Sequence, residues 1–154
     1  PTDSTKPLTV TSAAIVATDG SPLNHAETGA TFTLRVTMRT TETILGPNVR
    51  IALQHDTGPL VAMVSNHSIG ADFGWVDPGE HTVDLAILDN PLLPGRYRVH
   101  VDVFDHTGSK TLDNWNDAIE FAVRSQRGEI GQGFVNLPAQ ASITPPGREV
   151  TSAE

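Results

Sequence analysis

One short motif in the middle of the chain constrains its fold more than any other feature. Leu92-Leu93-Pro94-Gly95-Arg96-Tyr97 has the pattern L-x-P-G-x-Y and runs directly into the alternating residues 98–104. A tyrosine corner needs this spacing, because the ring packs into the core while the hydroxyl bonds backbone a few residues upstream. The motif therefore predicts the turn into a central strand of an immunoglobulin-like antiparallel β-sandwich.

The strand that follows the motif has two chemically different faces. Side chains alternate along a strand, so one face carries Tyr97, Val99, Val101 and Val103. The opposite face carries Arg98, His100, Asp102 and Phe104. We expect the first face to build the core and the second to be available for binding.

Other segments of the chain also alternate, and clusters of Gly, Pro, Asn and Asp separate them. The pattern predicts an all-β chain whose strands cover residues 8–17, 31–39, 48–54, 60–64, 81–88, 97–104 and 118–124. In immunoglobulin topology the strand before the corner is E and the one after it is F, which makes residues 48–54 strand C and 118–124 strand G. A last short strand is expected at residues 133–137, so residues 1–137 form the domain and residues 138–154 a flexible tail.

Charge and composition exclude several functions. The chain has 10 Lys and Arg against 18 Asp and Glu, a formal net charge of −8, which argues against nucleic acid as a partner because that affinity depends on cationic side chains. It contains no cysteine, so disulfides and thiolate chemistry are excluded. No nucleophile elbow, phosphate-binding loop or metal-binding histidine motif occurs. The sequence therefore predicts neither an enzyme nor a cofactor or metal site.

Strands C, F and G are expected to share one sheet, and their outward face is the leading candidate site. The candidate sugar-contacting residues there are Arg50, Gln54, Arg98, His100 and Asp102. Their planar donors and acceptors match vicinal hydroxyl groups, which points to a polyhydroxylated ligand. Two other interpretations remain open: a solvated sheet face with cross-strand ion pairs, and a contact surface for protein.

The two tryptophans lie in sequence that resembles loops, at Phe73-Gly74-Trp75 and Asp113-Asn114-Trp115-Asn116-Asp117. An indole face can stack on the apolar side of a pyranose while neighbouring amides and carboxylates bind its hydroxyls. We therefore expect Trp115, flanked by Asn and Asp, to be the better sugar platform of the two. The simpler interpretation is that each ring plugs an end of the sandwich.

Several segments taken together resemble one family, the C-terminal domain of the nucleotide-binding subunit of ABC transporters that export O-antigen and related polysaccharides. The segments that carry the resemblance are Asn48-Val49-Arg50-Ile51, Val64-Ser65-Asn66-His67, Asp77-Pro78-Gly79-Glu80-His81-Thr82-Val83, the corner, Thr111-Leu112-Asp113, Ile119-Glu120-Phe121-Ala122-Val123 and Gly131-Gln132-Gly133-Phe134-Val135-Asn136-Leu137-Pro138. Their order and spacing carry the resemblance more than any one of them does, because many sandwich domains share a tyrosine corner.

The resemblance implies a cytoplasmic carbohydrate-binding domain, peripheral to the inner membrane, that recognises the terminal or modified end of a polysaccharide. It implies as partners an ATPase domain of the same polypeptide, which would lie in a missing N-terminal part, and a membrane transporter subunit. It also implies a homodimer that exchanges its last strand, here residues 133–137, with residues 125–129 as the hinge. The alternative function is an immunoglobulin-like module that binds protein.

Overall fold

The protein is an almost entirely β-structured chain. The computed structural model describes residues 6–125, 133–136 and 139–143. The strands are β1 Leu8–Val16, β2 His25–Glu27, β3 Phe32–Thr40, β4 Ile44–Leu45, β5 Asn48–His55, β6 Leu60–Ser65, β7 Trp75–Val76, β8 Gly79–Ile87, β9 Gly95–Phe104 and β10 Thr111–Arg124. One turn of 3₁₀ helix covers His67–Ile69. Every one of the seven long predicted strands has a counterpart, which confirms the all-β fold class.

The strands form two main sheets that face each other. One sheet has the order β1-β3-β8, the other has the order β2-β10-β9-β5-β6, and β4 pairs with β7 in a small ladder of its own. The predicted strands C, F and G are β5, β9 and β10, and they are neighbours in the second sheet. The prediction that these three strands share a sheet is therefore confirmed.

The core lies between the inward faces of the two sheets. Alternate residues of β3 and β9 are buried there: Phe32, Leu34, Val36, Met38, Tyr97, Val99, Val101 and Val103. The tyrosine corner is formed as expected, because the buried Tyr97 hydroxyl donates a hydrogen bond of 2.7 Å to the Leu93 carbonyl oxygen. The Tyr97 ring stacks on Phe121 of β10 with a centroid distance of 5.9 Å. The corner thus fixes which side of β9 faces outward.

Three features of the fold were not expected from the sequence. Strand β2 runs parallel to the end of β10 and thereby joins the second sheet. Strand β10 starts at Thr111, well before the predicted start at residue 118, and reaches its full length through two register shifts. Strands β4 and β7 pair with each other although the sequence around Trp75 resembles a loop.

The C-terminal predictions fall largely outside the described residues. Within residues 133–136, Val135 forms an isolated antiparallel bridge with Leu92 rather than a continuous strand. The expected hinge lies outside the described residues except for residue 125, and the expected tail does so except for residues 139–143. Strand exchange therefore stays a prediction. Within the part that the structure describes, no helix is long and apolar enough to cross a membrane.

Candidate functional site

Five of the six candidate residues lie side by side on the outward face of the second sheet, which we call the polar face. Arg50 and Gln54 come from β5, and Arg98, His100 and Asp102 come from β9. The register places Arg50 opposite Asp102 and Gln54 opposite Arg98. The alternation that buries the valines of β9 therefore also brings these five side chains together.

Arg50 is held on both sides of its guanidinium group. Its Nη2 atom lies 3.0 Å from Asp102 Oδ2. Its Cζ atom lies 4.7 Å from the centroid of the Phe104 ring, within cation–π range. The side chains of Arg50 and Asp102 remain 37% and 19% exposed. The pair is a preformed donor and acceptor unit whose outer edge faces solvent.

His100 links β5 to a bulge in β10. Its Nε2 atom lies 2.7 Å from Gln54 Oε1, and the Asp117 backbone N–H donates to His100 Nδ1 at 2.9 Å. Because Nδ1 accepts this bond, the bonding pattern assigns a neutral ring with its proton on Nε2. Asp117 takes a left-handed conformation, with φ of 54°, within the register shift of β10. The bulge therefore orients the histidine.

The polar groups of this face mostly bond to one another. Gln54 Nε2 donates to the Gly58 carbonyl oxygen at 2.7 Å, and Arg98 Nη1 lies 3.8 Å from Asp117 Oδ1. Arg50 Nε and Arg98 Nε are buried with no hydrogen-bond partner among the described residues. The face carries neighbouring donors and acceptors along two strands, which suits an extended hydroxylated chain.

Trp115, the sixth candidate, lies elsewhere, and its predicted place in a loop is wrong. It belongs to β10 and pairs with Val101, whose side chain faces the core. Its ring is half-buried and packs against the core. The polar residues around Trp115 look like a loop in the sequence, although Asp113 faces inward and is buried. It binds the Val10 backbone N–H and the Lys6 ammonium. Trp115 therefore does not extend the polar face.

Trp75 is the tryptophan that faces solvent. Its side chain is 68% exposed, and it lies beside an open groove of about 330 Å³. The residues that line this groove, which we call the Trp75 groove, are Met38, Phe73, Trp75, Val76, Asp77, His81, Thr82 and Val83. The sequence identifies Trp75 as a possible sugar platform, but no pattern in it indicates that Trp75 is more exposed than Trp115.

A cluster of titratable groups lies at the end of the sandwich. His106 Nε2 is 3.5 Å from Asp72 Oδ2, and the rings of His67 and His106 are 5.7 Å apart. The Gly74 backbone N–H and the two histidines lower the pKa of Asp72. Within residues 6–125, 133–136 and 139–143, no group of three or more acidic or histidine side chains has a geometry that would hold a metal ion.

Comparison with known proteins identifies the architecture. The sequence matches the family model of the Wzt C-terminal domain over residues 2–137. The fold is similar to the crystal structure of the C-terminal domain of wzt, with a TM-score of 0.79, 10% identity and coverage of 90% of this chain and 85% of that chain. No curated protein matches the sequence.

A second similar structure is an alkylpurine DNA glycosylase, AlkC of Pseudomonas fluorescens, bound to DNA containing an abasic site analog. Its TM-score is 0.51 and its identity 16%, and the match covers 77% of this chain but 31% of that one. Identities this low show a shared fold alone. The family model is the stronger finding, because it spans all ten strands and confirms the resemblance predicted from the sequence. The chain belongs to the Wzt C-terminal domain family.

Proposed function

We propose that this chain is a non-catalytic carbohydrate-binding domain that recognises an O-antigen-type polysaccharide, at its terminal or modified end, for export by an ABC transporter. The observation that carries the proposal is the family match over residues 2–137, which supports the exporter context. The full-length protein would then be cytoplasmic and peripheral to the inner membrane. Its partners would be an ATPase domain of the same polypeptide and a membrane transporter subunit.

The polar face is the proposed contact surface for the polysaccharide. Its carboxylate, guanidinium, amide and imidazole groups give paired donors and acceptors at strand spacing. A sugar hydroxyl that inserts between Arg50 and Asp102 breaks their contact of 3.0 Å and replaces it with bonds to the ligand, so one hydroxyl adds little net binding energy. The polar face therefore binds a ligand well only when several hydroxyls bind at once. This favours an oligosaccharide over a monosaccharide.

A matched pair of variants tests this surface. Arg50→Gln removes an Arg–Asp pair from the polar face, and Arg35→Gln removes the equivalent cross-strand pair, Arg35 and Asp84, from the other sheet. Both arginine side chains are 37% exposed. After a glycan array identifies a bound oligosaccharide, calorimetry should show weaker binding for Arg50→Gln, by roughly tenfold. Binding equal to that of Arg35→Gln would contradict the assignment of this face.

The second candidate function is a protein-binding module. Strand β6 is an edge strand of the same sheet, and its side chains Leu60 and Met63 are 57% and 52% exposed. Exposed apolar side chains on a strand that has one neighbour among the described strands are typical of protein contact surfaces. NMR shifts on β5, β6 and β9 that a protein partner causes, and that no glycan causes, would favour this function.

The proposed homodimer depends on the last strand. Val135 bridges to Leu92, next to the corner, so the segment that would be exchanged can pair at this position. Sedimentation of the whole chain and of a chain that ends at residue 125 tests the proposal. A dimer that persists after truncation would refute strand exchange.

A further inference from the structure

Trp75 is held in place by backbone while its ring stays in solvent. In the β4–β7 ladder Ile44 pairs with Val76 and Leu45 pairs with Trp75. Val76 is buried and anchors the ladder, whereas the Trp75 and Leu45 side chains are 68% and 38% exposed. Moving a large aromatic side chain out of water lowers the free energy, so an exposed indole on an ordered strand indicates a binding surface.

The Trp75 groove combines an apolar base with polar groups at its rim. Met38 and Val83 come from the inner faces of β3 and β8, and Phe73 lines the groove together with Trp75. Asp77 and His81 supply the polar side chains, whereas the Thr82 side chain lies on the opposite face of β8 from Val83. An aromatic wall with a few polar groups is the composition of a site that binds one face of a sugar ring by stacking and its edge by hydrogen bonds.

The polar groups of the groove are available, unlike those of the polar face. The Asp77 carboxylate has no hydrogen-bond partner among the described residues. The His81 ring is fixed by its Nε2 atom, which lies 2.6 Å from the Asp77 carbonyl oxygen. A ligand can therefore bond to the Asp77 carboxylate without breaking an existing bond, whereas on the polar face it must displace one.

The charge of the groove restricts the ligand. Asp77 lines it, and no Lys or Arg is among the lining residues. An anionic sugar would meet the Asp77 carboxylate with no Lys or Arg among the lining residues to compensate, and the chain as a whole carries −8. A neutral sugar meets an acceptor for its hydroxyl groups.

We propose that the Trp75 groove is a sugar-binding subsite that takes one neutral pyranose residue, stacked on the Trp75 indole and bonded through its hydroxyls to Asp77. The class of ligand rests on the proposed function. The subsite lies on a different surface from the polar face and restricts the sugar to an uncharged one.

The experiment uses fluorescence and calorimetry on the whole chain. The chain has two tryptophans, so Trp115→Phe leaves Trp75 as the only indole and keeps an aromatic ring in the core. The probes are neutral hexose, 6-deoxyhexose and N-acetylhexosamine oligosaccharides, with oligogalacturonate as the anionic counterpart. We expect at least one neutral probe to change the Trp75 emission, and oligogalacturonate to leave it unchanged.

Two substitutions separate stacking from the general loss of exposed apolar surface. Trp75→Ala should weaken binding of that neutral probe by about tenfold or more, and Asp77→Asn should weaken it less. The matched control is Leu88→Ala, because Leu88 is 71% exposed and lies outside the groove. It should bind as the parent does, and circular dichroism of each variant should match the parent.

The outcomes distinguish the subsite from the proposed function. If the parent binds a neutral oligosaccharide that Trp75→Ala binds equally well, the subsite is refuted while the proposed function stands. Loss of that binding in Arg50→Gln but not in Trp75→Ala likewise refutes the subsite alone. Binding of oligogalacturonate alone refutes the neutral-sugar subsite. Absence of binding to every glycan by both methods refutes the subsite and the proposed function together.

Discussion

Replacing Asp113 should lower the free energy of unfolding more than its small side chain suggests. Its carboxylate is fully buried and joins the two sheets. It accepts hydrogen bonds from the backbone N–H groups of Val10, at 2.7 Å, and Asn114, at 2.9 Å, and it binds Lys6 Nζ at 2.8 Å. Val10 precedes the register shift in β1, so Asp113 bonds this N–H where the strand departs from regular pairing.

The expected loss of stability follows from what each variant leaves unpaired. Asp113→Ala takes the acceptor away from the Val10 and Asn114 N–H groups, which should lower the free energy of unfolding by about 2 to 4 kcal/mol. Asp113→Asn keeps an acceptor but loses the charge, and should cost roughly 2 kcal/mol. Lys6→Met should cost less, about 1 kcal/mol, because the carboxylate keeps its two backbone N–H donors and water can reach the position of the Lys6 ammonium, whose side chain is 37% exposed.

Urea unfolding measures these differences through the midpoint at constant m-value. The backbone bond to Val10, and not the ion pair, should be the main contribution of Asp113. A loss below about 1 kcal/mol for Asp113→Ala would refute the claimed role of the carboxylate. A loss for Lys6→Met as large as that for Asp113→Ala would assign the stability to the ion pair instead.

Two further predictions concern the corner and the surface of the first sheet. Tyr97→Phe should cost about 1 to 3 kcal/mol in urea unfolding, because it leaves the Leu93 carbonyl oxygen without its donor; a cost near zero would show that the corner only packs. Asp84→Asn should cost about 0.2 to 1 kcal/mol at pH 7, because the bond from Arg35 lowers the pKa of this exposed carboxyl from 3.8. Because the pKa of Asp84 is lower in the folded state, its ionised carboxyl stabilises the fold above pH 3.8, and this contribution is lost as the pH falls through the folded-state pKa. The difference in stability between Asp84→Asn and the parent should therefore vanish in acid. A difference that persists in strong acid would contradict this.

The strands and the polar face could be predicted because both follow from local alternation. Once the corner places Tyr97 inward, the period of two assigns every residue of β9 to a face, and pairing with β5 brings Arg50 to Asp102. The same logic predicts that Phe121 and Val123 face the core, and both are buried. The assignment of residues to faces needs no contact between distant residues, and the pairing of β5 with β9 follows from the order of strands in the immunoglobulin topology.

The position of Trp115 could not be predicted for the opposite reason. Asp113 looks like a loop residue until its distant partners Lys6 and Val10, near the other end of the chain, are known to meet it in the core. The register shift between Trp115 and Ile119 also conceals the continuity of β10 from a search for regular alternation. The exposure of Trp75 on a strand could not be predicted either, because it depends on a ladder of two residue pairs, which is too short to leave a pattern.

The parallel pairing of β2 with the end of β10 gives the domain a direction of mechanical strength. His25, Ala26 and Glu27 run alongside residues 122–124 in the same direction. A force that pulls β2 toward its amino end and β10 toward its carboxyl end slides the strands past each other, so the bonds between them are loaded together. Antiparallel neighbours whose adjacent ends are pulled apart would instead open one pair at a time. A domain pulled along this line should therefore unfold at a higher force than the short length of β2 suggests. Its lifetime under force would be set by the unfolding rate.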